Sequence, residues 1–148
     1  MPKSNVAKTA LARNILLVFT LLLVVLLLLP KPAKKITLNN KNIRAELVNK
    51  EADLKKGLSG RQNLAGNEGM LFILGANNKG CIWMKDMQFA IDVLWLDGAK
   101  RVIDIASNIS PDTYPNTFCP NQKARYILEV PAGTIQINTW KIGQQASF

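Results

Sequence analysis

Two apolar runs separated by the dipeptide Asp97-Gly98 restrict the fold of this chain more than any other feature. The runs Ile91–Leu96 and Val102–Ile105 each have the length of a buried strand. Asp-Gly readily adopts the left-handed backbone that a tight hairpin turn requires. The sequence therefore predicts an antiparallel hairpin in this part of the chain.

Other short apolar stretches, each bounded by turn residues, predict further strands. They cover residues 43–47, 70–74, 81–85 and 125–130. A short helix is predicted over residues 50–56, ended by Gly57, and a helical turn within residues 133–140. Many short strands and few helices predict a mainly β fold, either a small β-sandwich or a barrel-like sheet with one or two short helices.

An apolar segment precedes this domain. Residues 15–29 are apolar throughout except for Thr20. A membrane-spanning helix needs about 20 apolar residues, with a range near 17–25. The run is slightly short, but Leu11 and Ala12 extend it, and no small-residue cleavage site follows it. We therefore predict an uncleaved transmembrane helix that anchors the protein in the lipid bilayer, with a cleaved signal peptide as the alternative.

The predicted organisation has four parts. They are a basic cytoplasmic tail over residues 1–14, a membrane anchor over 15–29, a basic proline-containing spacer over 30–35 and a β-rich domain over 36–148. A short basic tail before a first helix usually stays in the cytoplasm. We therefore expect a single-pass protein of the cell membrane whose C-terminal domain lies outside the cytoplasm.

The charge and the residue types exclude some classes of function. The net charge is +9, but from Ile36 onward there are 13 basic and 10 acidic residues, with no basic cluster. Nucleic acid is therefore not an expected partner. The chain has no histidine, which removes the commonest general base and metal ligand and excludes a Ser-His-Asp triad.

Five short motifs follow one another in the order of a known family. They are Gly57-Leu58 with Arg61, Gly69-Met70-Leu71-Phe72, Trp83-Met84-Lys85, Ile91-Asp92-Val93-Leu94, and Leu128-Glu129-Val130-Pro131-Ala132-Gly133-Thr134. With them the chain resembles the uncharacterised family known as domain of unknown function 192, over nearly all of residues 43–143. The resemblance implies a compact, mostly β domain, often exported or membrane-anchored in bacteria and archaea, with no assigned activity. Asp86 and Met87 stand where the family often has Asn-Thr, and Ala90 where it often has Pro.

Four side chains form a candidate ligand site. Trp83 and Lys85 share one face of a predicted strand. Asp92 interrupts an apolar strand, where an unpaired charge would be costly. Arg61 follows a glycine-containing turn that can approach another strand closely. Together they suit a small anionic or sugar-like ligand, whereas the structural alternative is a lysine–aspartate ion pair that orders the sheet.

Two chemical alternatives remain open. A hydrolase or transferase would use Asp92 or Glu129 as its base, with Lys85 or Arg61 holding an anion. Soft sulfur ligands for copper occur at Cys81, Met84 and Met87, although a strand sends residues three apart to opposite faces.

Calcium is not expected. Five aspartates come close together in the chain, but their spacing fits no EF-hand loop. They are Asp86, Asp92, Asp97, Asp104 and Asp112. The hairpin turn already accounts for Asp97, so we predict no metal and no cofactor.

The two cysteines predict a disulfide between Cys81 and Cys119, with two free thiols as the alternative, because an even pair lies in a domain expected outside the cytoplasm. The favoured function is a binding or accessory module of the cell envelope. Its expected partner is an envelope protein or a glycan. No catalytic residue is predicted, and the question of enzymatic activity is left open, leaning toward none.

Overall fold

The protein is described here by a computed structural model that covers residues 3–28, 32–76 and 79–148. The chain divides into two compact units, Met1–Lys31 and Pro32–Phe148. The first unit contains one helix, α1 (Lys3–Leu28).

The predicted transmembrane helix over residues 15–29 is wrong. Among the residues that the structure describes, no helix is long and apolar enough to cross a membrane. The apolar part of α1 starts at Ile15, and the helix ends at Leu28. Residues 29–31, which close the predicted anchor and open the predicted spacer, lie outside the described residues.

The second unit is mainly β. Its strands are β1 (Ala33–Leu38), β2 (Lys41–Val48), β3 (Glu68–Ile73), β4 (Ile82–Trp83), β5 (Ile91–Leu96), β6 (Val102–Ile109), β7 (Thr117–Phe118), β8 (Tyr126–Pro131) and β9 (Ala146–Ser147). Its helices are α2 (Glu51–Lys56), a short 3-10 helix (Pro111–Thr113) and α3 (Thr134–Ile137). Seven strands form one sheet in the order β6-β5-β8-β3-β2-β1-β9, while β4 and β7 pair separately. β2 and β3 run parallel, and the other neighbouring strands are antiparallel.

The large sheet buries apolar side chains on both faces. Because successive residues of a strand point to opposite faces, Phe72 and Ile127 belong to one cluster, while Leu71 and Leu128 belong to the other. The first cluster is covered by α2, by the loop that follows α2 and by the small β4–β7 pair. The second cluster is covered by α3 and the segment that follows α3. The mainly β prediction is therefore confirmed. The sandwich is wrong, because one curled, half-barrel sheet replaces two large sheets packed face to face.

The hairpin predicted from Asp97-Gly98 is present. β5 pairs with β6 in antiparallel register, with Leu94 opposite Ile105. The side chain of Asp97 accepts a hydrogen bond from the backbone N–H of Arg101 at 2.8 Å, which closes the turn. On its other side β5 pairs with β8, so β5 is an inner strand, and all six of its residues are buried.

Candidate functional site

Cys81 and Cys119 are joined in a disulfide, the pairing expected from the sequence. Their Cα atoms lie 4.1 Å apart. Cys81 directly precedes β4 and Cys119 directly follows β7, and the pairing of Ile82 with Phe118 holds the two cysteines side by side. The bond therefore fixes the small β4–β7 pair.

Asp92 plays a structural part. Its side chain is fully buried in β5, and its two carboxylate oxygens accept hydrogen bonds from the backbone N–H groups of Asn108 at 2.7 Å and Ile135 at 2.8 Å. Two backbone donors satisfy a buried carboxylate without a cation. Within residues 32–76 and 79–148, Asp92 and Lys85 form neither a hydrogen bond nor an ion pair with each other.

Arg61 also lies apart from the other predicted site residues. Its guanidinium Nη2 donates to Oε2 of Glu46 on β2 at 2.5 Å. The Arg61 side chain is 32% exposed and that of Glu46 is 14% exposed. Arg61 is absent from the lining of the cavities described below, so it holds the loop after α2 against the sheet.

Trp83 and Lys85 do come together. The Lys85 ammonium lies 5.7 Å from the centre of the Trp83 ring, within the range of a cation–π contact. Tyr114 meets the same ring edge-on, with the centroids 6.1 Å apart. Trp83 is 47% exposed and Tyr114 is 45% exposed. An aromatic pair that is half open to solvent differs from a core residue, because it leaves ring surface available for contact.

Glu129 is the residue that the sequence pattern undervalued, since a glutamate before Val-Pro is more often a surface charge at a strand edge. It lies on β8, between Met70 of β3 and Val93 of β5, and it is only 7% exposed. Burial among these apolar neighbours raises the pKa of Glu129 to about 8, because the charged form loses its hydration. Its carboxyl group makes no hydrogen bond or ion pair within residues 32–76 and 79–148. No completely buried side-chain oxygen or nitrogen of these residues lacks a hydrogen-bond partner, so the Glu129 oxygens keep some contact with the space around them.

The Glu129 side chain lines an inner cavity of about 90 Å³. Most of the residues that line this inner cavity are apolar, among them Leu58, Phe72, Met87, Ile91 and Ile127, and polar groups also contribute to its surface. The volume exceeds what one water molecule needs, and it is smaller than the roughly 150 Å³ cavity that accepts a benzene molecule. The inner cavity can therefore hold a few non-hydrogen atoms of a ligand beside a carboxyl group.

Trp83 connects the inner cavity to two outer grooves. The larger groove, of about 870 Å³, runs past Lys79 and Thr117, and the smaller one, of about 370 Å³, runs past Lys85 and Asp86. Trp83 and Lys55 line all three spaces. We use the name Trp83 cleft for the inner cavity together with these two grooves.

The mouth of the Trp83 cleft is held by backbone contacts. The hydroxyl of Ser59 donates to the carbonyl of Lys85 at 2.7 Å, and the N–H of Gly60 donates to the carbonyl of Asp86 at 2.8 Å. Gly57 ends α2 with a φ of +49°, a conformation that residues with a Cβ rarely adopt. An added Cβ at Gly57 would also lie 3.3 Å from the Phe72 ring. The loop after α2 is therefore fixed against the segment that carries Lys85.

The sulfur atoms considered for copper are committed elsewhere. The Cys81 sulfur is bonded to Cys119, so it is not a thiolate. Met84 and Met87 are both buried in the apolar cluster beneath α2. This arrangement favours packing over copper binding.

A family model matches nearly the whole β-rich unit. The model of domain of unknown function 192 (DUF192), described as an uncharacterized ACR, matches residues 34–148. The chain belongs to this family. The match covers the whole sheet except the first residue of β1, as well as α2 and the Trp83 cleft.

Curated relatives of this DUF192 chain are uncharacterised as well. A UPF0127 protein from Thermococcus gammatolerans is 35% identical over 72 residues, which are 47% of this chain and 44% of the relative. A UPF0127 protein from Thermococcus kodakarensis is also 35% identical over 72 residues, covering 47% of this chain and 43% of the relative. The match thus spans less than half the length of either relative.

Two solved structures share the DUF192 fold. One is a protein of unknown function from Novosphingobium aromaticivorans, with a TM-score of 0.74 and 23% identity, covering 78% of this chain and 85% of that chain. The other, from Sinorhizobium meliloti, carries a provisional name as a transcription regulator. Its TM-score is 0.74 at 22% identity, covering 80% of this chain and 95% of that chain. At these identities the likeness concerns the fold alone.

Proposed function

We propose that this domain is a binding module that takes a small ligand in the Trp83 cleft. One observation carries the proposal: Glu129 is only 7% exposed, its side chain lines the inner cavity, and its carboxyl group makes no hydrogen bond or ion pair with another described residue. A carboxyl group beside a cavity can take its hydrogen-bond partner from water or from a ligand in that cavity. A cavity lined by many apolar residues and a few polar groups, entered beside an exposed aromatic ring, has the features of a small-molecule site.

The protonation of Glu129 defines what the ligand must present. Because its pKa is raised to about 8, the folded protein carries a neutral carboxyl group at neutral pH. A neutral carboxyl donates one hydrogen bond through its O–H. The ligand therefore offers an uncharged acceptor, such as a hydroxyl or carbonyl oxygen, to Glu129.

We also propose that the module works outside the cytoplasm, on ligands of the cell envelope that belong to a glycan or to an envelope protein. The disulfide between Cys81 and Cys119 supports this compartment, because such bonds persist in oxidising surroundings and are rare in the cytosol.

An acid–base enzyme is the second candidate, since a carboxyl that is protonated near neutral pH suits a general acid. Within the described residues, however, Glu129 is the only carboxyl group that lines the inner cavity. The hydroxyl of Ser59 is engaged with the Lys85 carbonyl, and Asp92 is engaged with two backbone amides. Acid–base work commonly needs a second group, so binding is the better supported function.

The test is to titrate the full chain with acetamide, isopropanol and phenol while following backbone amide signals by NMR. We expect shifts concentrated at Gly57, Met87 and Ile127 and at the Trp83 indole, because these groups surround the inner cavity. Glu129→Leu should remove the response to acetamide and keep that to phenol, because only the hydrogen-bonding group is lost.

Arg61→Met is the matched control, since Arg61 does not line the Trp83 cleft. It should leave all three responses unchanged. If none of the three probes shifts the cleft signals, the cavity admits only water and the proposal fails. If a probe is chemically converted during the titration, the protein is an enzyme and the proposal of a binding module fails.

A further inference from the structure

The charges around the Trp83 cleft differ from its apolar interior. Four lysines line its mouth, namely Lys55, Lys56, Lys79 and Lys85. Two carboxylates accompany them, Glu51 and Asp86. All six side chains belong to exposed residues.

The lysines outnumber the carboxylates two to one, so the mouth of the cleft carries a net positive charge. Lys55 pairs with Glu51 at 3.0 Å. Within residues 32–76 and 79–148, the ion pairs include no partner for Lys56, Lys79 or Lys85. Lysines scattered over a surface need no explanation, but here they surround an exposed tryptophan at the entrance of a cavity. Cations at a cleft raise the local concentration of anions and speed their capture.

The entrance also provides a surface for a ring. Trp83 keeps about half of its surface open and is supported edge-on by Tyr114. Flat apolar ring surface binds another ring, aromatic or saturated, through dispersion contacts and the exclusion of water. The Lys85 ammonium lies next to the same ring, so a ring on Trp83 brings its substituents close to a cation.

We propose that the ligand of the Trp83 cleft is a ring compound with a carboxylate at one end and a hydroxyl at the other. The ring lies on Trp83, the carboxylate remains outside in the smaller groove near Lys56 and Lys85, and the hydroxyl enters the inner cavity and accepts a hydrogen bond from Glu129. The opposite orientation is unfavourable, because it would bury a carboxylate without a cation beside apolar walls. This inference rests on the proposed binding function and adds the chemical class of its ligand.

Sugar acids and hydroxylated aromatic acids share this chemistry. The experiment therefore uses glucuronate and para-hydroxybenzoate, with glucose and phenol as their uncharged counterparts, and measures dissociation constants with the full chain by calorimetry. At least one acid should bind roughly tenfold more tightly than its counterpart, with an affinity that weakens as salt is added. Tight binding of glucuronate alone identifies a sugar acid, tight binding of para-hydroxybenzoate alone an aromatic acid, and tight binding of both the shared chemistry.

Variants assign the contacts. Trp83→Leu keeps an apolar side chain without the ring, and it should weaken the acids roughly tenfold. The double change Lys56→Gln with Lys85→Gln should weaken the acids several-fold and leave the uncharged probes unaffected. The matched control, Lys41→Gln with Lys141→Gln, removes two exposed lysines that do not line the cleft and should change nothing.

Four results would overturn this ligand class. Uncharged probes that bind as tightly as the acids would remove the role of the carboxylate while the binding function stands. If the Lys56→Gln with Lys85→Gln variant binds the acids as tightly as the native protein, these two lysines do not contact the carboxylate. If the control variant weakens acid binding equally, the preference for acids reflects only the net charge of the protein. Failure of the acids together with the three NMR probes would remove the ligand class and the binding function alike.

Discussion

The carboxylate of Asp92 accepts a hydrogen bond from the backbone N–H of Ile135, 43 residues further along the chain. Its other oxygen accepts from the N–H of Asn108 on β6. One buried side chain therefore connects β5, the end of β6 and the short helix α3. A carboxylate in this position organises the backbone and is not available for catalysis.

Asp92→Asn should destabilise the domain by about 2–3 kcal/mol, because an amide presents an N–H₂ group toward one of the two backbone donors. The free energy of unfolding in urea measures this loss. Asp53→Asn, an exposed change on α2, is the control and should stay within about 0.5 kcal/mol of the native protein. Equal stability of the two variants would contradict the structural role of Asp92.

Glu129→Gln should change how stability depends on pH. The folded protein holds the Glu129 proton up to a pH of about 8, whereas the unfolded chain releases it near 4.5. Between these values the folded state binds more protons, so raising the pH destabilises it, by up to about 1.4 kcal/mol per pH unit. The stabilisation from the protonated form is complete below pH 4.5 and is lost by about pH 8.

Unfolding free energies of the native protein and of Glu129→Gln, measured from pH 4 to pH 9, test this relation. The glutamine does not titrate. The free energy of unfolding of the variant should therefore rise steadily relative to that of the native protein from about pH 4.5 to pH 8, and the difference should stay constant above pH 8. Glu51→Gln, an exposed change, should follow the native curve throughout. A constant difference between the native protein and Glu129→Gln would show that the Glu129 carboxyl titrates in its ordinary range.

Arg61→Met should lower stability without affecting ligand binding. It removes one interaction of the mostly buried carboxylate of Glu46, at a cost of about 1 kcal/mol after allowance for the partial exposure of Arg61. Arg44→Met, on the exposed side of β2, should cost less than about 0.5 kcal/mol. If Arg61→Met is as stable as the native protein but binds the acid probes more weakly, Arg61 belongs to the ligand site instead.

Replacing Cys81 and Cys119 together by serine should lower the free energy of unfolding by about 4 kcal/mol, from the chain entropy released by opening a loop of 38 residues. The native protein after reduction should match this variant. Alkylation of unreduced, unfolded protein taken directly from cells should modify neither cysteine. Modification of both would refute the disulfide in the cell and, with it, the extracytoplasmic compartment.

Local patterns predicted local structure well. The Asp97-Gly98 turn, the short helix ended by Gly57 and the contact between Trp83 and Lys85 all depend on neighbours within a few residues, and the structure contains each of them. The strand predicted over residues 81–85 is shorter than expected, because it ends at Trp83 and Lys85 lies in a turn. The cysteine pairing needed no geometry, because only one intramolecular pair exists.

The partners of the charged residues could not be found in this way. The sequence groups Asp92 with Arg61 in one site, but their partners are backbone amides and a glutamate from distant parts of the chain. The sequence offers Glu129 only as a possible base and does not predict its burial, because nothing local shows that β8 lies between β3 and β5. A signal did exist, since residues on both sides of Glu129 are apolar along the strand, as expected of an inner strand.

The floor of the Trp83 cleft and its entrance belong to different parts of the fold. Glu129 lies on an inner strand of the large sheet, where any substitution disturbs two neighbouring strands. Trp83 and the surrounding lysines lie on α2, on the β4–β7 pair and in loops, where substitutions cost little stability. Under the proposed binding function, the outer half of the ligand can therefore change while the inner contact persists. Proteins that share this sheet can therefore differ in the ligands that they recognise while they keep the same fold.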